Sequence, residues 1–553
     1  MNKTFLLTFI RTMEDNKYFI GKDRVYVGSL LMVVLQERME YCTDILKQLL
    51  RDLIARTVEK RFQPKILFRR SESVAERMLT AWFTFLMYPF LKESGGQQLY
   101  QLFFAIKQQM EKGPQDAITL DARYSLSEEK LLRSTFEFRA IYIFLGSEPG
   151  VDVYPTHVRV LDCDSITQVK EKCLDALYKT TPYSNRPTAN DVDLEWRDCL
   201  SGRMILQDLD TTSRSEQGGW RVLNTLAHYK VNDNASFVLV PRQSNSYYNL
   251  SLMSGKSEKS TFSLKNNSPT LPRPFGTHSS SHSKEQDSCK LFHIVRPSEH
   301  GPGDQQDKMV TEIYLTRLLT MKGTLQQFID DLLEVIFSTG SRRSPLPSCI
   351  KYMFDFMDEQ AEEHGIYDPE VVHAWKSNAL PLRFWVNLIK NPQFLFDIPK
   401  PTKIEGSLSV VAQTLMDACS TQEHVLTKDS PSSKLLFAKD TRRFKGWVDR
   451  YYQTIKEMPP ISENDMNAQL AIESQAHTRQ FYVFSALNEL YRYLEQYKEQ
   501  LYEQLAMNEA AVSQHLPEKL RKMLETMDPQ IDYSTGMSNG TNDGYNSASR
   551  LMP

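Results

Sequence analysis

Two arginine-bearing stretches hold the residues best placed to do chemistry. One reads Lys65-Ile-Leu-Phe-Arg-Arg-Ser71-Glu-Ser-Val-Ala-Glu-Arg-Met78, and the other, far downstream, reads Leu380-Pro-Leu-Arg-Phe-Trp-Val-Asn-Leu-Ile-Lys-Asn-Pro-Gln393. Each arginine lies at the edge of a strongly apolar segment rather than on an ordinary charged face. Pro64 stops the preceding helix, which places Arg69 and Arg70 on a short loop opening the next one, with Ser71-Glu-Ser-Val74 as the cap region. Two cations at a helix N-terminus oppose the helix dipole, so a compensating role stands beside the plain reading as surface or capping arginines. A guanidinium carried on a loop by a rigid scaffold can stabilise charge developing on a transferring phosphoryl group. Arg383, between Leu382 and Phe384, is either a site residue or a member of a structural ion-pair network.

Composition excludes several other chemistries. The 553 residues are too many for one compact core, and 41% hydrophobic with 11% aromatic content is ample for packed interiors. Basic residues number 66 against 69 acidic, which gives no electrostatic case for nucleic acid or a general membrane surface. The seven cysteines are scattered, without a Cys-x-x-Cys pair, so neither a disulfide framework nor a structural zinc site is expected. The histidines form no ligand-spaced pairs, and no metal site is expected. No Gly-x-x-x-x-Gly-Lys-Ser/Thr loop, Gly-x-Ser-x-Gly elbow or His-Glu-x-x-His helix occurs. No apolar stretch is long enough for a transmembrane span, and the short run Phe5–Ile10 lacks the features of a secretory signal.

The elements that must carry these residues change character along the chain. Residues 1–133 show helical periodicity: Val27, Leu30, Leu31, Val34 and Leu35, then Tyr41 to Ile54, then Val74, Met78, Leu79, Trp82, Phe85 and Leu86. From Phe138 the period becomes two. Strands are expected at Phe138–Phe144, His157–Leu161, Asp193–Trp196, Arg203–Leu206 and Ser236–Val240. A helix begins at the capping box Ser165-Ile-Thr-Gln168. Residues 134–242 therefore read as a β-grasp, ubiquitin-like module. Residues 243–290 are dominated by Ser, Asn, Thr, Lys, Gly and Pro and read as a disordered linker. Helical periodicity resumes over 291–510, with helices at Met353–Glu363, Phe384–Ile389, Leu408–Cys419 and Phe481–Leu505. The last has Phe484, Leu487, Leu490, Tyr491 and Leu494 on one side. Residues 511–553 hold one short amphipathic stretch near Leu516–Met527 and then read as a disordered tail.

Arg-Arg-Ser-Glu-Ser-Val-Ala-Glu, Leu-Arg-Phe-Trp-Val-Asn and Lys-Asn-Pro-Gln-Phe together resemble the intracellular region of plexins, the semaphorin receptors. Further segments that carry the resemblance are Ala105–Pro114, Thr225–Tyr229, Glu312–Leu318 and Lys428–Pro431, and Cys163-Asp-Ser-Ile-Thr is similar to A-type plexins. The resemblance implies a mostly α fold: a discontinuous, all-helical RasGAP-like domain (1–133 and 291–510) interrupted by the Rho-GTPase-binding, ubiquitin-like module. It implies that Arg69 and Arg70 act as fingers on GTP-bound Rap or R-Ras, with Arg383 touching the nucleotide or supporting the finger loop. Asn387 and Asn391 then either orient the attacking water or a switch loop, or simply cap helix ends before Pro392. No cofactor belongs to the chain; GTP and Mg²⁺ belong to the GTPase. Rac- or Rnd-type GTPases are expected on Met204, Leu206, Trp220, Leu239, Val240 and Pro241, although burial in the module's own core is an equal reading for each. Trp220 is expected to be the more exposed tryptophan and Trp196 the core one.

A plexin-like chain of this extent lacks the ectodomain through which semaphorin would bind, the membrane helix and the juxtamembrane segment. It would work on the cytoplasmic side of the plasma membrane, with dimer formation left open. A catalytically idle GTPase-binding scaffold is the competing reading, and it shares the same fold.

Overall fold

The computed structural model describes residues 2–59, 64–69, 73–134, 136–146, 156–199, 202–242, 290–296, 312–340, 346–422, 426–427 and 430–527. Arg70, most of the Ser-rich segment and the last residues of the chain lie outside these, as do the expectations placed on them. The chain divides into two compact units. One combines Met1–Tyr88, Leu346–Phe384 and Lys456–Pro553; the other combines Pro89–Pro345 and Trp385–Ile455.

The first unit is helical among its described residues. Lys3–Glu14, Gly21–Leu35, Met39–Glu59 and Val74–Phe90 supply one part, and Ser348–Glu363, Pro369–Ser377, Glu463–Ala476, Val483–Gln496, Lys498–Met507 and Leu516–Met527 the rest. The apolar periodicity of Val74–Phe90 buries Val74, Met78, Leu79, Trp82 and Leu86, as a one-sided helix must. Trp82 is fully enclosed, and its indole N–H donates to the Thr43 hydroxyl at 2.8 Å, so the large ring is buried without an orphan donor. Gly28 lets the Gly21–Leu35 helix lie directly on Val74–Phe90. A Cβ there would sit 2.8 Å from the Cβ of Arg77. The apolar stripe expected on the helix at Val483–Gln496 holds at Leu490 and Leu494 but not at Phe484 and Leu487, which are exposed. Ala486, Leu490 and Leu494 are buried on i, i+4 spacing, whereas Phe484 is 85% exposed.

The second unit contains the β structure. Strands β1 (Ala140–Leu145), β2 (Thr156–Leu161), β3 (Val192–Cys199), β4 (Gly202–Leu206), β5 (Ser215–Glu216), β6 (Trp220–Val222), β7 (Ser236–Pro241) and β8 (Lys290–Phe292) form two sheets. The larger has the order β2-β1-β7-β3-β4, with β1 and β7 parallel and the other pairs antiparallel. The Ile166–Leu177 helix lies between β2 and β3 in the chain, and its Val169 and Cys173 share one core with Ile143, Leu194 and Phe237. Parallel central strands flanked by hairpins, with one helix across one face, are the β-grasp arrangement expected from the change of period. The helix starts where the capping box predicts: Ser165 Oγ accepts from the Gln168 amide, and Gln168 Oε1 accepts from the Ser165 amide at 3.0 Å. Helices Gly96–Met110, Glu312–Ile336, Glu405–Cys419 and Ala438–Glu457 make up much of the remaining framework.

The smaller sheet, β5-β6-β8, joins the module to chain beyond the Ser-rich segment, because β8 pairs parallel with β6. Residues after β8 are pinned on the other side by Asp116. Its two carboxylate oxygens accept four backbone N–H bonds of 2.8 Å each, from Ile118, Thr119, Ile294 and Val295. Burial alone would raise its pKa, but these four donors outweigh it and hold the carboxyl below its ordinary value. His293 lies beside it. The Ala117 amide donates to His293 Nδ1 at 3.0 Å, so the proton must sit on Nε2, which donates to the Cys163 carbonyl at 2.8 Å. Burial drives the His293 pKa below 6.5, against the pull of that carbonyl.

Both groups weaken the fold on acidification. A buried neutral histidine with a lowered pKa costs stability as pH falls below its unfolded value, and a carboxylate with a lowered pKa loses its contribution as pH falls through the folded value. The melting temperature should therefore fall as pH drops from about 7 towards 5, with the histidine acting first. His293→Gln should flatten that upper part of the profile, as measured by thermal denaturation across a pH series.

Candidate functional site

The arginine loop is built by the first unit alone. Pro64–Ile66 forms one 3₁₀ turn, Phe68 is buried, and Arg69 is exposed at the turn that follows. Phe68 adopts φ 63°, a left-handed conformation uncommon for a bulky residue. Strain of this kind is on the order of 1–3 kcal/mol and persists only where the surroundings over-determine it. The surroundings here are a second chain segment of the same unit, Pro369–Phe384.

The guanidinium of Arg383 is the centre of that support. Its Nε donates to the Phe68 carbonyl at 2.7 Å, and its Nη2 lies 3.3 Å from Glu76 Oε1. The Glu76 side chain is 1% exposed and that of Arg383 12%. Glu76 meanwhile uses Oε2 to accept from the Ser73 amide at 2.8 Å, and Ser73 Oγ accepts from the Glu76 amide at 3.1 Å. This is a reciprocal capping box on Val74–Phe90. Glu14 adds a second carboxylate, accepting from the Val74 amide at 2.6 Å, and burial raises its pKa in spite of that bond. Two carboxylates at the helix N-terminus thus offset the cations the sequence placed there.

A change of helical pitch aims Arg383. Residues Asn378–Val386 form a π-helix with Pro381 inside it. On an α-helix, five residues rotate by 500°, which would put Arg383 about 140° round from Asn378. The wider π turn closes i→i+5 bonds and brings the two nearer one face, and Pro381 supplies no N–H for an α ladder.

Asn387 and Asn391 belong to the other unit. Asn387 is exposed at the start of the short helix Asn387–Lys390, and Asn391 closes that helix. Asn391 Nδ2 donates to the Asn387 carbonyl at 2.9 Å and to its Oδ1 at 3.1 Å. The Asn391 amide is therefore engaged in a helix-end arrangement.

The six residues assigned to partner binding do not share one surface. Side chains alternate across a strand, so Met204 and Leu206 on β4 and Leu239 on β7 take the core side. Leu206 is fully buried, and Met204 and Leu239 pack against the core. Val240 lies on the opposite face, paired with Asp193, and Pro241 is exposed. Trp220, expected to be exposed, is 6% exposed, which corrects that reading. Strand β8 crosses beside it, Phe292 packs edge-on at 6.0 Å, and Arg296 and Lys290 lie 5.1 and 5.6 Å from its ring. Trp196 is a core residue stacked on Phe237. The apolar residues left open on the sheet are Tyr142 and Ile205, each 49% exposed. Strict alternation about Leu206 would have found Ile205.

Sequence reading missed Glu76 and Glu14 as partners of the loop. Ser73-Val-Ala-Glu76 carries the capping-box spacing that identifies Glu76, two residues after the cap first assigned. Glu14 has no local signal. Among the described residues, no three His, Cys, Asp or Glu side chains gather as a metal site, and no helix is long and apolar enough to cross a membrane.

Removing the guanidinium leaves a buried carboxylate without its cation. Arg383→Ala should cost about 3–5 kcal/mol of stability, read as a lowered denaturant midpoint. Arg383→Lys should recover only part of it, because an ammonium cannot reproduce the planar two-sided contact.

Comparison with known proteins places these residues in a wider set. The model of the family described as the plexin cytoplasmic RasGAP domain matches residues 1–501. Plexin-A4 of Mus musculus is 54% identical over 503 residues, covering 89% of this chain and 26% of that protein. Plexin-A2 of Homo sapiens is 52% identical over 510 residues (90% and 26%), and human Plexin-A3 51% over 497 residues (89% and 26%). The chain spans about a quarter of the length of these relatives. A crystal structure of the ubiquitin-like domain of PLXNC1 matches 19% of this chain and all of that one, at 25% identity and a TM-score of 0.17.

Proposed function

This chain belongs to the family of plexin cytoplasmic RasGAP domains, and on that premise we propose that it accelerates GTP hydrolysis by Rap- or R-Ras-type GTPases as the signalling region of a semaphorin receptor. The observation that carries the proposal is the Arg383–Glu76 pair. It holds the carbonyl that immediately precedes Arg69, so the exposed Arg69 follows directly on an anchored turn whose Leu67 and Phe68 are buried. In this reading Arg69 and Arg70 enter the GTPase and neutralise charge on the transferring phosphoryl group, a contribution of ~10³–10⁵ in rate. Arg383 acts through the loop, and its guanidinium is spent on Phe68 and Glu76. Asn387, exposed, is the amide that approaches a GTPase, with its Oδ1 held by Asn391. GTP and Mg²⁺ come with the GTPase. The chain works in trans at the inner face of the plasma membrane.

We further assign Rac- or Rnd-type GTPases to the open face of the β-grasp sheet. Tyr142 and Ile205, with the half-buried Val240 on the same side, offer apolar surface there, whereas Leu206, Leu239 and Met204 serve the core, Pro241 falls on the other side of the strand and Trp220 is covered.

Single-turnover hydrolysis on GTP-loaded Rap and R-Ras, with the chain free and artificially dimerised, tests the first assignment. Arg69→Ala/Arg70→Ala should lower the stimulated rate about 10³-fold, near 4 kcal/mol of transition-state stabilisation, with an unchanged melting temperature. An undiminished rate in the double variant removes the fingers. Absence of stimulation by the unaltered chain in either form supports the idle scaffold instead.

Calorimetric titration of the whole chain with GTP-loaded Rac and Rnd tests the second. Ile205→Asp should weaken binding without loss of stability, Leu206→Asp should unfold the module, and Arg69→Ala should leave binding intact.

A further inference from the structure

Five consecutive carbonyls run up to Arg69, and each has a donor. The Pro64 carbonyl accepts from the Trp375 indole at 2.8 Å. Those of Lys65 and Leu67 accept from one amide nitrogen, Asn378 Nδ2, at 3.2 and 2.8 Å. The Ile66 carbonyl accepts from the Arg69 backbone at 2.9 Å, and that of Phe68 from Arg383. Arg383 was visible from its sequence motif. Asn378 was not, yet it is the residue that makes two of these five bonds.

We propose that Asn378 is a positioning residue for the arginine loop, its primary amide acting as a fork that sets the spacing of the Lys65 and Leu67 carbonyls. The inference rests on the activity proposed above. An NH₂ group carries two hydrogens and can serve two acceptors at once. The carbonyls two residues apart flank Ile66, whose own carbonyl closes the turn onto Arg69. Fixing them fixes the turn, and it holds Phe68 in the left-handed conformation from which the next residue projects. Trp375 and Arg383 secure the two ends of the same segment, and Asn378 reaches its middle. Asn378 opens the π segment, so the pitch change that aims Arg383 begins at the fork. An aspartate of the same shape would present carboxylate oxygens to two carbonyl oxygens and reverse the interaction.

The test uses Asn378→Asp and Asn378→Ala in the whole chain, with three measurements. Amide exchange over residues 64–69, in the absence of any GTPase, should rise in both variants and more in the aspartate. With GTP-loaded Rap, the saturating single-turnover rate should fall on the order of 10²-fold, the scale expected for a misplacement of about 1 Å. The half-saturating concentration should stay unchanged, which separates loss of chemistry from loss of binding. In the Arg69→Ala/Arg70→Ala background, Asn378→Asp should cause no further loss of rate, because it acts through residues already removed. Exchange over 64–69 equal to that of the unaltered chain overturns the proposal, as does an undiminished saturating rate or a full additional loss in the double-arginine background. If the unaltered chain does not stimulate hydrolysis, the proposed activity has failed, and the exchange measurement still decides whether Asn378 orders the loop.

Discussion

A single buried carboxylate closes the arginine loop at both of its ends. Glu76 takes the Arg383 guanidinium on one oxygen and the Ser73 amide on the other, while Arg383 reaches on to the Phe68 carbonyl. The path Phe68–Arg383–Glu76–Ser73 therefore ties the residue before Arg69 to the cap of the next helix. Such a pair is poor evidence of stability in itself, since desolvation offsets much of its attraction. What it supplies is geometry. The pair joins the helix start, the π segment and the turn before Arg69 in one arrangement.

The degree to which the sequence announced this differs by residue. Arg69, Arg70 and Arg383 were conspicuous because cations at apolar edges break the usual pattern. The β-grasp sheet was legible because alternation is a local property, although the first strand buries Ile141, Ile143 and Leu145 rather than the expected set Phe138, Ala140, Tyr142 and Phe144, and Ser165-Ile-Thr-Gln168 sets its own helix start. What failed was anything decided by a distant partner. Trp220 looked like an open aromatic until Lys290–Phe292, arriving from the far side of the Ser-rich segment, was laid beside it. Phe484 sat on a plausible apolar stripe, yet Leu490 and Leu494 face inward and it does not. Asn378 carries no motif; its role exists only because the turn at 64–68 lies against it, 311 positions away in the chain.

The second unit relies on a different kind of closure. Asp116 and His293 replace water around backbone groups of two segments that are far apart in the chain. A charge and a neutral ring, placed side by side, do the work usually left to strand pairing. Both are single points of support, and neither would be guessed from hydropathy.

The close approach at Gly28 has a mechanical consequence. The Gly21–Leu35 helix touches Val74–Phe90 without an intervening side chain on its own part, and it is also tied to the Val483–Gln496 helix, where Tyr493 donates to Asp23 at 3.0 Å and packs beside Tyr26. Protein interiors are dense and barely compressible. Three helices stacked in this way transmit displacement with little loss, much as a column transmits load. The end of the column nearest the arginines is Ser73. Residues close to the C-terminal end of the described chain therefore help to set where the arginine loop stands, and any force or partner that moved the Val483–Gln496 helix would be felt at that loop as a shift of its footing.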